Sequence, residues 1–164
     1  MNRMLKFTRT KHVGIERPAK DKIIAHGFLD DYIYSMELDV EFSLPHYEIT
    51  KIDGRMKRYT TPECPRANEI LQNAVGMRIE PGLAEKVKKQ IGRAGCRHYA
   101  TLLLECCYAV ISASIGFARA DLEAEGLPAD DDAVRRRLLV MLPSIRNRCM
   151  MYAEEGPLAN RLFG

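Results

Sequence analysis

A chain of 164 residues with 46% apolar and 29% charged residues has the composition of one globular domain with a real core, which excludes wholesale disorder or low complexity. A formal net charge of +3 gives no electrostatic reason to expect nucleic acid as a partner. Five cysteines, an odd number, with no apolar h-region in Met1 to Lys6, point to reduced thiols in a cytoplasmic protein rather than to a disulfide framework.

Leu5 to Ile15 alternates loosely through Leu5, Phe7, Val13 and Ile15, and Lys22 to Leu29 is a short apolar run. Both read as strands. From Tyr32 to Leu44 the alternation is clean: Tyr34, Met36, Leu38, Val40 and Phe42 are apolar, while Ser35, Glu37, Asp39 and Glu41 are polar. Period two over that length predicts a strand with one buried and one wet face, ended by Pro45. Tyr47 to Ile52 and Arg55 to Thr60 flank Asp53-Gly54, a dipeptide suited to a type I′ hairpin. The first sixty residues therefore read as an antiparallel meander of four or five strands.

After Pro62 the period changes. A helix is expected from Pro65 through Ile70, Leu71, Ala74 and Val75 to Gly76. A second opens at Pro81-Gly82, with Leu83, Val87 and Ile91 inward and Gly92 at its end. A third begins near Gly95-Cys96, carries Tyr99, Leu103, Cys106 and Val110 on one stripe, and continues to about Gly126. A fourth starts around Asp130 to Ala133, and Pro143 kinks or ends it. Strands first and helices second make residues 1–164 a single α+β domain, with the helices packed on one face of the sheet.

Two stretches need a choice between readings. Tyr99 to Ala118 has Glu105 as its only charge and is long enough to cross a bilayer. Thr101, Ser112 and Ser114, and the absence of a second such segment, favour a core helix and no membrane. Arg135-Arg136-Arg137 follows six acids between Asp121 and Asp132, the usual decoration of a solvated helix, and a phosphate-binding patch is the weaker reading.

No phosphate loop, dinucleotide fingerprint, hydrolase elbow or H-E-x-x-H occurs. What remains is Gly95-Cys96-Arg97-His98, together with Pro62-Glu63-Cys64-Pro65. Each cysteine stands where a loop enters a helix, a place that favours the thiolate. Cys96 and His98 are two residues apart, so they converge only if Cys96 lies at or before the helix start. Cys64, Cys96 and His98 then form a candidate Cys₂His set for zinc or iron, completed by Asp30, Asp31 or His46, or left open for a water that would serve metal-assisted hydrolysis. The bland alternative is that Cys64 and Cys96 pack as small hydrophobes and His98 bonds locally. Cys106-Cys107 and Cys149 read as packing, and Glu105, two turns beyond His98, stands too far along the helix for direct contact with it. Two further readings compete with the metal site. One is a binding module for a small molecule or partner protein, and the other is a thiol redox protein cycling Cys64 and Cys96.

The order of these signals resembles the bacterial proteins grouped as domain of unknown function 2889. The likeness rests on the strand meander, the Pro-x-Cys segment, Gly76-Met77-Arg78-Ile79-Glu80-Pro81-Gly82, and Gly-Cys-x-His opening an apolar helix, over roughly residues 5 to 118. The family pattern of Gly-Cys-Thr-His-Leu followed by Glu-Leu-Leu is met here by Gly95-Cys96-Arg97-His98-Tyr99, with Arg97 in place of Thr and Thr101 in place of Glu. The resemblance implies that Cys64, Cys96 and His98 act as a set, and it brings no activity with it. A meander followed by helices, with cysteines at the junctions, also resembles the NifU-type iron–sulfur scaffold proteins at the level of fold alone.

Overall fold

Four strands form one antiparallel sheet in chain order: β1 (Arg9–Ala19), β2 (Lys22–Asp31), β3 (Ser35–Ser43) and β4 (Glu48–Arg58). The structure is a computed structural model and describes residues 6–163; Leu5, the expected start of the first strand, lies outside the described residues. Helices follow: α1 (Ala67–Ile70) between two 3₁₀ turns, α2 (Leu83–Val87) running into a π-helical turn, α3 (Arg97–Ala124), α4 (Asp131–Met141) and α5 (Ala159–Leu162). The architecture is α+β, as the change of period at Pro62 indicates. The chain forms two compact units, one up to Val110 and the other from Ile111 onward, with α3 running from the first into the second.

In the first unit the alternation of β3 is realised residue by residue. Met36, Leu38, Val40 and Phe42 are fully buried. The residues between them carry cross-strand ion pairs on the outer face: His26 Nδ1 and Arg55 Nη2 each lie 2.7 Å from Asp39, Lys22 lies 3.0 Å from Glu41, and Lys57 pairs with Glu37. Such exposed pairs contribute little each, and they keep this face in water. The buried face is covered from the helical segment: Leu71, Ala74, Leu83, Val87 and Ile91 are buried, as are Tyr99, Leu102, Leu103, Cys106 and Val110 of α3.

One expectation is corrected. Asp53-Gly54 does not turn the chain; β4 runs through it without interruption, with Asp53 opposite Asp39 and Gly54 opposite Leu38. The sheet accordingly has four strands, not five. The glycine serves a close approach instead. A Cβ at Gly54 would stand 2.4 Å from Leu71 Cδ1 and 2.9 Å from the Tyr99 ring, so α3 and the 64–74 segment can lie on the sheet only where no side chain rises. The β3–β4 connection instead contains the cis Leu44–Pro45 bond and Tyr47 at φ 50°.

The second unit is built as charge placement dictates. Asp130 caps α4 by accepting from the backbone N–H groups of Asp132 and Ala133 at 3.0 Å. Arg135 pairs with Asp132 at 3.2 Å, Arg137 pairs with Glu125, and Arg136 donates to the Arg161 carbonyl at 2.8 Å. All three arginines of the cluster are thus engaged within the protein.

By length and composition α3 could cross a membrane: an 18-residue window has a mean hydropathy of 1.7, and 39% of it is buried within the protein. Core helices pass the same test, and the fully buried side chains from Tyr99 to Val110 give α3 that character in the first unit.

Candidate functional site

The segment after β4 and the segment before α3 meet at one end of the sheet. Gly95 makes this possible: a Cβ there would lie 2.9 Å from Ile70, so the chain entering α3 rests directly against the segment that carries Cys64. Between them opens a cavity of about 630 Å³ lined by Cys64, Cys96 and His98, with Tyr34, Arg66 and Arg97 also on its walls. That volume suits a small organic ligand.

Cys96 is the residue immediately before the first helical position of α3, which satisfies the geometric condition for turning it toward His98. Its Sγ lies 4.0 Å from His98 Nδ1. Cys64 begins the 3₁₀ turn Cys64–Arg66. Its Sγ sits 3.6 Å from the hydroxyls of both Thr61 and Thr60. Those hydroxyls, Thr61 first, together with the Thr61 backbone, stabilise the thiolate and bring the Cys64 pKa down to about 7. The cause is local hydrogen bonding rather than a long helix behind the sulfur.

His98 is half-buried. Burial, then the positive charges of Arg9 and Arg97, hold its pKa below the usual imidazole value, against a smaller opposing pull from Asp31. Its Nε2 faces Arg9 Nη2 at 3.5 Å, and its ring packs on Tyr34 with centroids 4.1 Å apart. Arg9 is itself held by Asp31 at 2.6 Å. Burial alone would raise the Asp31 carboxyl. The backbone N–H groups of Tyr34 and Ile33 and the Arg9 guanidinium outweigh it, so the carboxyl stays below its ordinary range.

The other sequence candidates lie elsewhere. Asp30 is on the outer side of the β2 pleat, opposite in parity to the buried Leu29 and Asp31, and pairs with Arg58 at 2.6 Å. It lines a separate depression with Thr8, Thr10 and Tyr32. His46 is exposed in the β3–β4 connection, at the far end of the nine-residue β3 from Tyr34, a length of roughly 25–30 Å at strand rise. Glu105 pairs with Lys11 at 2.8 Å. Cys106 and Cys107 are buried, and burial pushes both thiols well up.

The structure therefore brings Cys64, Cys96 and His98 to one cavity without Asp30 or His46. Among the described residues, no group of three or more His, Cys, Asp or Glu side chains is arranged to hold a metal ion. The donor types suit zinc, but a ligand set needs its donors within about 2.3 Å of one point, and that closure is not met. Sequence reasoning missed Thr60, Thr61, Arg9 and Tyr34. Thr60-Thr61 directly before Pro62-Glu63-Cys64 was a readable signal, since a hydroxyl three or four residues before a thiol at a turn reaches it easily. Arg9 lies 89 residues from His98 and left no local trace.

A family model described as a protein of unknown function, DUF2889, matches residues 8–111, which contains the whole sheet, the cavity and the start of α3. No curated protein matches the chain, and no solved structure does.

Proposed function

The chain belongs to the DUF2889 family, and from the site it carries we propose that it is a thiol redox protein whose Cys64 and Cys96 exchange with a small disulfide bound in the cavity. The observation that carries this reading is that both thiols and an imidazole line one cavity, while Cys106 and Cys107 are sealed in the core. A thiol with a pKa near ambient pH is the best compromise between thiolate fraction and nucleophilicity, and Cys64 at about 7 meets that condition.

The electron balance is simple. The Cys64 thiolate attacks one sulfur of the ligand disulfide, forming a mixed disulfide and releasing a thiolate that takes up a proton. The Cys96 thiolate then attacks the Cys64 sulfur and releases the second ligand thiol. Two protein thiols are oxidised to one disulfide, and one ligand disulfide is reduced to two thiols. Such a cycle belongs in a reducing compartment, and with it we place the protein in the cytoplasm.

Equilibrating the protein with graded ratios of oxidised to reduced glutathione, followed by acid quenching and peptide mass spectrometry, tests the reading. A Cys64–Cys96 disulfide rising with the oxidised fraction is expected. Glutathione held on Cys64 with no internal disulfide would take Cys96 out of the cycle, and no oxidation of either cysteine at any ratio would leave a binding module, the alternative without redox cycling. Stoichiometric zinc or iron in protein purified under reducing conditions would instead favour the metal reading of Cys64, Cys96 and His98, whose support is their shared cavity.

A further inference from the structure

His98 is held from three sides by groups that leave it few choices. Asp31 is the anchor: its side chain is 0% exposed, and its Oδ1 accepts from the backbone N–H groups of Ile33 at 2.6 Å and Tyr34 at 2.7 Å. That leaves Oδ2 for Arg9, whose Nε donates to it at 2.6 Å. The same β2–β3 turn thereby fixes both the Arg9 guanidinium at the Nε2 edge of His98 and the Tyr34 ring against its face. The charged groups around the imidazole are Arg9 from β1, Asp31 from β2 and Arg97 from α3.

A guanidinium carries five donors and no acceptor. Nε2 facing it can only accept, so a proton on Nε2 would point donor at donor. A neutral imidazole then carries its proton on Nδ1, the nitrogen 4.0 Å from Cys96 Sγ. We propose that Arg9 and Asp31 are positioning residues that hold His98 as the Nδ1–H tautomer, aimed at the sulfur of Cys96.

The consequence for the site rests on the thiol-exchange reading above. When an external thiolate attacks the Cys64 sulfur of the Cys64–Cys96 disulfide, a new S–S bond forms there, the old one breaks, and its electron pair goes to Cys96. An N–H aimed at that sulfur stabilises the departing thiolate, as donors placed where charge develops do elsewhere. His98 acts on Cys96; Thr60 and Thr61 act on Cys64. Each thiol has its own donors.

The test is the ¹⁵N spectrum of the His98 ring in otherwise reduced, unmodified protein. In the wild type the proton resides on Nδ1. Arg9→Met, a change at a one-third exposed side chain, moves the population to Nε2–H, the form preferred by a free neutral imidazole. Arg9→Lys, which still only donates, keeps it on Nδ1. Iodoacetamide alkylation at Cys96, read residue by residue, falls about tenfold to a hundredfold in Arg9→Met, the size expected for losing one hydrogen bond to a charged group, while Cys64 is unchanged. A wild-type ring protonated on Nε2, or an Arg9→Met ring indistinguishable from wild type, overturns the proposal. Failure of the Cys64–Cys96 disulfide to form in glutathione buffers would remove the exchange reaction and leave the tautomer result standing, so the two ideas fail separately.

Discussion

Cys64 and Cys96 differ from Cys106 and Cys107 in surroundings rather than in kind. The second pair lies mid-helix on α3, at most 1% exposed, where burial pushes both thiols up and leaves them inert. The first pair lies at irregular segments that open a cavity, and Thr61 and Thr60 bring Cys64 to about 7. Reactivity follows from what surrounds the sulfur. A regular helix in a core supplies only apolar walls, whereas a loop entering a helix leaves room for hydroxyls and water.

The core half of this comparison breaks most easily. Leu38→Asp places a carboxylate on the fully buried face of β3, opposite Gly54, and should abolish cooperative folding, since an unpaired buried charge costs more than a small domain's stability of about 5–15 kcal/mol leaves to spare. Urea denaturation followed by circular dichroism would show no transition; a soluble variant with a normal transition contradicts the register. Gly54→Val comes next. Its Cβ would collide with Leu71 and Tyr99, and a loss of about 2–3 kcal/mol is expected from overpacking, with the same measurement as the check.

Replacing cysteines by serine sharpens the contrast further. Cys106→Ser buries a hydroxyl in an apolar site and should cost about 1–3 kcal/mol, whereas Cys64→Ser, beside hydroxyls and water, should stay within roughly 0.5 kcal/mol of wild type. Equal losses at the two positions would erase the distinction.

The smallest effect is on pH dependence. His26, hydrogen-bonded to Asp39 on the outer sheet face, has a raised pKa, so its contribution is present below about 6.5 and fades as pH rises through the folded value. His98 has a lowered pKa; its site is at full stability above about 6.5 and loses stability as pH falls through the folded value. The two oppose each other, and His26 is half-exposed, so screening keeps its share small. Urea midpoints at pH 5 and pH 7.5 should therefore show a steeper acid-side loss in His26→Ala and a shallower one in His98→Gln.

The parts of the fold that follow from local pattern were legible in the chain. β3 announces itself by strict alternation, and the stripe Tyr99, Leu103, Cys106, Val110 announces the buried face of α3. Asp53-Gly54 misled because a glycine that turns a chain and a glycine that admits a neighbouring helix are the same letter; only the position of Tyr99 and Leu71 above it decides. The site divides in the same way. Cys96 beside His98 is legible because both sit at one helix start, and Cys64 by its prolines. Asp30 and Asp31 are alike as letters, yet strand parity turns Asp30 outward and Asp31 inward, a distinction that depends on the register of β2. Arg9 reaches His98 only through the sheet, by tertiary geometry that no spacing encodes.

The most direct measurement of the central contrast is the rate of iodoacetamide alkylation at each cysteine from pH 5 to pH 10, resolved by peptide mass spectrometry. Cys64 should follow a titration with its midpoint near 7, moved up by about one unit in Thr60→Val/Thr61→Val, while Cys106 and Cys107 stay unmodified until the protein unfolds. A Cys64 midpoint near 9 in the wild type, or Cys106 reacting as fast as Cys64, would contradict the account.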